Sequence, residues 1–240
     1  MKVVVFHADG PKADTFVKGL YKDLFISLKT NINSFGYKLV HLTLKGFEGW
    51  GDENYFFDGN PQEVIYNRER TIIEYLKLQP DDDTVYWFTE PDSRLVSELE
   101  PLKGELALLF RHDAIPVTPA WKLCTKKSLP FLEEAFSHFD LTQKDWNGDA
   151  YGYLDMYNKI GRPTADFLHN GINVELRNYK EYCTTKGMYS RQFKADKKYR
   201  LVSNDFFMNN KEIILKTLNK TIEEFRRKYG VQFVDDTSGD

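Results

Sequence analysis

Two carboxylates separated by one residue stand directly after a short apolar run. The run is Val85–Phe88, and Thr89, Glu90, Pro91 and Asp92 follow it. Its β-branched and aromatic residues predict a buried strand that ends in a loop. Pro91 fixes its own φ and keeps Glu90 extended, so both carboxylates can face the mouth of an open sheet. Such oxygens bind hard divalent cations, which in turn bind diphosphates. The alternative is a solvated turn, because acidic residues and proline are common in turns.

The segments around this loop predict an α/β fold. Lys2–Phe6 is an apolar strand and Thr15–Asn33 has apolar residues at helical spacing, an opening typical of a parallel sheet covered on both faces. A single glycine in the intervening loop, without Gly-Lys-Ser/Thr, argues against a P-loop enzyme. The other predicted elements are strands at Tyr37–Leu44 and Leu106–Arg111, an extended segment at Pro116–Leu123, a turn and short strand within Arg162–Val174, and helices at Pro61–Leu78, Ser93–Pro101, Ser128–Phe139, Ala150–Ile160 and Lys211–Tyr229.

Other polar residues follow predicted strands. His7 and Asp9 follow the first strand and Arg111 ends a later one, at the strand ends where open α/β sheets bind ligands. Arg68 and Arg70 lie on a predicted helix and would suit bidentate binding of a diphosphate, although arginines at helical spacing mostly face solvent. A structural role is an open alternative for His7 and Asp9.

Composition indicates an ordinary globular protein. The chain has 240 residues, 41% of them hydrophobic, which is enough for the core of one large domain. No apolar run approaches the ~18 residues of a membrane span, and the N-terminal run is too short for a signal peptide, so we expect a cytoplasmic protein without a membrane partner. Cys124 and Cys183 are far apart in the sequence, which favours free thiols over a disulfide.

The segment 177–200 is basic and aromatic. It holds eight basic residues against two acidic ones, although the whole chain has a net charge of -3. Basic residues interleaved with aromatic rings can contact the phosphates and bases of a nucleic acid, whereas a solvated charged face is the simpler explanation. The candidates for nucleic-acid contact are Lys194, Lys197, Lys198, Arg200 and Tyr189.

Four features, in this order, resemble glycosyltransferases of the GT-A fold: the apolar first strand, the acid-x-acid loop Glu90-Pro91-Asp92, a following strand with an extended aromatic segment, and Trp146-Asn147-Gly148-Asp149 opening a helix. The resemblance covers roughly residues 1–175. It implies a single GT-A-like, Rossmann-like mixed sheet flanked by helices. Residues 176–234 would complete the same domain with the basic segment and a C-terminal helix, and residues 235–240 would be a disordered tail.

The resemblance also implies a set of site residues. Glu90 and Asp92 match the motif that holds manganese or magnesium on the diphosphate of a nucleotide sugar, although the first residue is usually Asp. Asp149 matches an acidic residue beside the transferred sugar, but Ala150 replaces the usual Gln, and helix capping is an alternative role for Asp149. Many members have a late metal-binding His. Here the expected late strand, Tyr199–Asp205, lacks His and leaves Asn204 or Asp205 as the ligand, or none.

The implied activity is sugar transfer from a UDP-sugar with Mn²⁺ or Mg²⁺. Asp92 and Asp149 would be catalytic, Glu90, Asp92 and Asp205 would bind metal, and the donor would be contacted by His7, Asp9, Arg68, Arg70, Glu90, Arg111 and Trp121. The chain also resembles small bacteriophage enzymes that glycosylate 5-hydroxymethylcytosine in DNA, which implies modified double-stranded DNA as partner in the host cytoplasm.

Three alternatives stay open. The first is a transferase of the same fold that acts on a protein, lipid or saccharide. The second is a non-enzymatic viral interaction protein, in which the acidic pair would be only a turn. The third is a regulatory domain that binds a nucleotide without consuming a nucleotide sugar.

Overall fold

The protein is built on a seven-stranded mixed sheet, with a second, two-stranded sheet beside it. The computed structural model describes residues 1–6, 15–42, 61–111, 117–140, 148–193 and 195–219. The strands are β1 (Lys2–Phe6), β2 (Lys38–Leu42), β3 (Tyr86–Thr89), β4 (Ser93–Leu95), β5 (Leu106–Phe110), β6 (Val117–Cys124), β7 (Phe167–His169), β8 (Ile172–Asn178) and β9 (Ser190–Gln192). The helices are α1 (Thr15–Ser34), α2 (Pro61–Lys77), α3 (Leu129–Ser137), α4 (Gly148–Lys159), α5 (Tyr179–Tyr182) and α6 (Asn204–Asn209); 3₁₀ turns span Lys126–Ser128 and Ala195–Arg200, and residues 211–219 are also helical.

Strand direction places the carboxyl ends of five strands on one side of the sheet. The order is β2-β1-β3-β6-β5-β8-β7. β1 runs parallel to β2 and β3, and β5 runs parallel to β8, whereas β6 is antiparallel to both β3 and β5. The strands β1, β2, β3, β5 and β8 therefore end at a common side, called here the carboxyl edge. This arrangement confirms the predicted single mixed sheet flanked by helices.

The alternation of strand residues divides the core into two layers. Val4 packs on one face of the sheet with residues of α2, α3 and α4. Val3 and Val5 pack on the other face with residues of α1 and with Tyr182 of α5. Because neighbouring residues of a strand point to opposite faces, the fully apolar β1 is buried from both sides, as its sequence predicts.

Two predicted elements are wrong. Ser93–Pro101 is not a helix: its start is β4, which pairs with β9, and the side-chain amide of Asn31 bonds both the N–H and the carbonyl of Leu95. Tyr199–Asp205 is not a strand, since it spans the end of a 3₁₀ turn and the start of α6. Ser203 caps α6 by accepting a hydrogen bond from the Phe206 N–H at 3.2 Å. Asp205 consequently lies in the first turn of a helix.

The helices predicted around Thr15, Pro61, Ser128 and Ala150 are confirmed, with ends that differ by a few residues. The predicted helix Lys211–Tyr229 is helical over 211–219, and its remainder lies outside the described residues. Both cysteines are free and buried. Among the described helices, none has the length and apolar character needed to cross a membrane.

Candidate functional site

The acid-x-acid loop, residues 90–92, leaves the carboxyl edge directly after β3. A tight turn forms here, because the Ser93 N–H donates to the Glu90 carbonyl at 3.0 Å. The Thr89 hydroxyl donates to Ser93 Oγ at 2.7 Å and fixes the two ends of the turn. The Asp92 residue is 7% exposed, whereas the Glu90 side chain is 30% exposed. Hydrogen bonds therefore fix the conformation of the loop, and only the Glu90 carboxylate is partly exposed. The loop is not a solvated turn.

Gln192 joins the two carboxylates. Its amide nitrogen donates to Glu90 Oε2 and lies 3.4 Å from Asp92 Oδ1. The pairing of β4 with β9 brings it there, because Ser93 is the direct partner of Gln192 across the small sheet. The amide oxygen of Gln192 accepts from the Cys183 thiol at 2.7 Å. One side chain, 100 residues later in the sequence, thus fixes the spacing of the acidic pair.

Arg94 stabilises the loop through hydrogen bonds to backbone carbonyls. Its guanidinium is nearly buried and donates to the carbonyls of Pro91 at 2.9 Å, of Ser93 at 2.6 Å and of Leu24 in α1 at 3.3 Å. Burial lowers the pKa of Arg94 to about 10, while the charge of Asp92 and then that of Asp23 oppose this decrease. Arg94 remains a cation at neutral pH and balances the charge of Asp92.

The buried ion pair Lys122–Glu69 is connected to the loop through Arg68. Arg68 of α2 donates to Glu90 Oε1 at 3.1 Å and lies 3.7 Å from Glu69 Oε1. The same Glu69 oxygen accepts from Lys122 of β6 at 2.7 Å, and the Tyr153 hydroxyl lies 3.3 Å from its second oxygen. Lys122 and Glu69 are 0% and 2% exposed. The polar chain from Lys122 to Glu90 links the middle of the sheet to its carboxyl edge.

The other predicted donor-binding residues have different environments. Arg111 follows β5 at the same edge and lies over the Tyr179 ring at 4.8 Å. Arg70 is partly buried on α2. Trp121 is 3% exposed and packs against Tyr182 inside the core, so its ring is a packing group and not a surface for a nucleotide. His7 and Asp9 lie outside the described residues.

The predicted nucleic-acid residues divide into two groups. Lys197 and Arg200 are exposed. Lys198 turns inwards, donates to the Tyr21 hydroxyl at 3.2 Å and lies above the Tyr21 ring. Burial lowers the pKa of Lys198, but Tyr21 and then Asp92 outweigh burial and leave this pKa raised. Lys198 is thus a positive charge that is held by Tyr21 and interacts electrostatically with Asp92.

Tyr189 stacks on Tyr182 with ring centres 4.7 Å apart and donates to Glu100 at 2.9 Å. Its hydroxyl and one ring face are therefore engaged within the protein. Lys194 lies outside the described residues.

The donor set of the loop suits a hard divalent cation. Magnesium is commonly held by one or two carboxylates together with phosphate oxygens, which Glu90 and Asp92 match. Within the described ranges, no three His, Cys, Asp or Glu residues form a group that could hold a metal, so Glu90, Asp92 and Asp205 are not such a group. Asp149 is the second residue of α4, and its side chain lies outside the described part of the chain.

A polar recess of about 200 Å³ lies elsewhere, against Glu100, Lys103, Asp166, Glu175 and Arg177. It does not include the acidic loop. Residues 7–14 and 43–60, which continue from the carboxyl ends of β1 and β2, are not among the described residues.

One solved structure with a similar architecture is the crystal structure of a glycosyltransferase involved in the glycosylation of the major capsid of PBCV-1. The two chains superpose with a TM-score of 0.51 at 10% sequence identity, over 84% of this chain and 97% of the other. The fold is GT-A-like. No protein-family model and no curated protein sequence matches the chain. The comparison therefore supports a glycosyltransferase fold and gives no substrate.

Sequence reasoning missed Arg94 and Gln192. Arg94 stands two residues after Asp92, and a basic residue so close to an acidic pair was an available signal. Gln192 had no such signal, because only the β4–β9 pairing brings it to the loop.

Proposed function

We propose that this protein is a cytoplasmic glycosyltransferase that moves a sugar from a UDP-sugar to an acceptor hydroxyl. The observation that carries the proposal is the pair of carboxylates, Glu90 and Asp92, held by Gln192 at the carboxyl edge of a GT-A-like sheet. In open α/β sheets this edge is where ligands bind. A solvated turn would not need the buried Arg94 clamp behind it.

Asp92 and Glu90 would hold Mn²⁺ or Mg²⁺. When bound, the cation supplies a Lewis acid that neutralises charge on the departing diphosphate. Arg68 already contacts the Glu90 carboxylate, and its guanidinium can add charge-assisted hydrogen bonds to phosphate oxygens. Lys198 adds positive charge near Asp92. Asp149, at the start of α4, remains the candidate for positioning the acceptor or removing its proton.

The first experiment measures UDP release from a panel of UDP-sugars with Mn²⁺, with Mg²⁺ and with EDTA. Asp92→Asn should lower turnover by roughly a hundredfold or more, because a group that acts on transition-state charge is lost. Asp81→Asn is the matched control, since Asp81 is an exposed carboxylate before the same strand. Unchanged turnover in Asp92→Asn would remove Asp92 from the mechanism. UDP binding without any turnover would instead indicate a regulatory nucleotide-binding domain.

We propose 5-hydroxymethylcytosine in phage DNA as the acceptor. Lys197 and Arg200 support this proposal, because they are exposed on the 3₁₀ turn whose Lys198 interacts electrostatically with Asp92 of the acidic loop. Mass spectrometry of hydroxymethylated DNA incubated with nucleotide sugars tests donor and acceptor together. Replacing Lys197 and Arg200 by Ala should weaken DNA binding and reduce the slope of log affinity against log salt by about 2. A slope that does not change would redirect the search to protein, lipid or saccharide acceptors.

A further inference from the structure

The Gln192 side chain lies between both carboxylates of the acidic loop and the Cys183 thiol. It is 6% exposed, and the pairing of Ser93 with Gln192 fixes its backbone. The side-chain nitrogen faces Glu90 and Asp92, because ionised carboxylates only accept hydrogen bonds and the amide NH₂ is the end that donates. Its amide oxygen faces Cys183.

This orientation is incompatible with a cation between the two carboxylates. The amide NH₂ carries partial positive charge and has no lone pair for a metal, whereas the amide oxygen is a hard ligand of the kind that Mg²⁺ and Ca²⁺ accept. A rotation of the amide by about half a turn exchanges the two ends without moving the backbone, because the amide torsion is broad and roughly two-fold.

Cys183 tolerates both orientations. A thiol is a weak donor and a weak acceptor, so it can donate to the amide oxygen, as it does here, or accept from the amide nitrogen after rotation. A carboxylate or an ammonium group at this position would favour one orientation only. Cys183 is 3% exposed and lies in the second core layer, which keeps water from competing for the amide.

We propose that Gln192 is a third oxygen ligand of the cation site, and that its amide rotates when a divalent cation binds. This inference rests on the proposed function for its cation. It gives the site a protein ligand that is neither acidic nor His, in place of Asp205. The same residue then serves two states: its nitrogen keeps the two carboxylates together without a cation, and its oxygen joins them in coordination.

Cation affinity tests the proposal without any need for turnover. Binding of Mn²⁺ alone is titrated by electron paramagnetic resonance in the wild type, Gln192→Met, Gln192→Glu and Asp92→Asn. Gln192→Met should weaken Mn²⁺ binding by roughly tenfold, as expected for a lost coordinating group. Gln192→Glu should tighten it by a similar factor, because affinity rises with the number of charged ligands. Gln79→Met is the control, since the Gln79 amide bonds the Tyr75 carbonyl in a different part of the chain.

The sign of the Gln192→Met effect is decisive. A residue that only ties the carboxylates together competes with the cation, so its removal would leave affinity unchanged or increase it. Either result would overturn the proposal. A second measurement uses only the wild-type chain, so it does not depend on whether a variant folds: Mg²⁺ should shift the side-chain amide resonances of Gln192 in ¹⁵N spectra and leave those of Gln79 in place. Unshifted Gln192 resonances at saturating Mg²⁺ would also overturn it.

These outcomes separate the ligand role from sugar transfer. If Mn²⁺ affinity follows the expected order but no UDP-sugar is consumed, Gln192 is a ligand and the proposed function fails. If a UDP-sugar is consumed with Mn²⁺ and the Gln192 variants bind Mn²⁺ as the wild type does, the proposed function stands and the ligand role fails.

Discussion

The buried pair Lys122–Glu69 offers a quantitative test of how the acidic loop is supported. The Lys122 side chain is 1% exposed and that of Glu69 is 3% exposed, with 2.7 Å between the ammonium and the carboxylate. Lys122→Met removes the cation and leaves the carboxylate buried. Removing one partner of a buried ion pair typically costs ~3–5 kcal/mol. Tyr153 and Arg68 still reach Glu69 at 3.3 and 3.7 Å, so we expect a value near the lower end.

Urea unfolding followed by tryptophan fluorescence measures this loss, since Trp87 and Trp121 are both buried. A loss of about 3 kcal/mol corresponds to a fall in Tm of roughly 6–12 °C for a chain of this length. The double variant Lys122→Met/Glu69→Leu should recover stability to within about 1 kcal/mol of the wild type, because an apolar replacement of a buried pair is often neutral.

The exposed pair Lys77–Glu133 is the matched control. Its atoms are as close, 2.6 Å, but the side chains are 52% and 47% exposed. Lys77→Met should therefore cost less than about 1 kcal/mol. The reasoning is refuted if Lys122→Met costs no more than Lys77→Met, or if the double variant loses the sum of its two single losses.

Two further predictions concern the region that carries Gln192. The Tyr182 and then the Tyr189 hydroxyl, by hydrogen bonding, lower the pKa of Glu100 below its ordinary 4.5, so Glu100 stabilises the fold above pH 4.5 and this contribution disappears as the pH falls through the lowered pKa. Glu100→Gln should make the urea midpoint less dependent on pH below 4.5, and an unchanged dependence would contradict this assignment. Gly187→Ala would bring a Cβ into the Ser190 carbonyl oxygen at the start of β9, and should cost roughly 1–3 kcal/mol and weaken Mn²⁺ binding through Gln192, whereas exposed Lys186→Ala should do neither.

Local patterns were sufficient for most of the helices and strands. The apolar β1, the helical spacing of α1 and α2, and the aromatic β3 each carry their signal within a few residues, since burial on one or two faces sets the period of apolar side chains. The mixed sheet was predicted through the resemblance to GT-A enzymes. The wrong prediction at Ser93–Pro101 arose because no local signal marks β4. This strand forms through its pairing with β9, about a hundred residues later.

The sequence by itself determined that Glu90 and Asp92 follow a buried strand, because strand, proline and acidic pair are contiguous. Tertiary structure decided which residues surround them. Arg68 comes from α2 and Gln192 from β9, and each contacts the loop only after chain segments distant in sequence have packed. Tertiary packing also buries Trp121 in the core. Contacts of this kind depend on long-range packing, which no local pattern of residue types encodes.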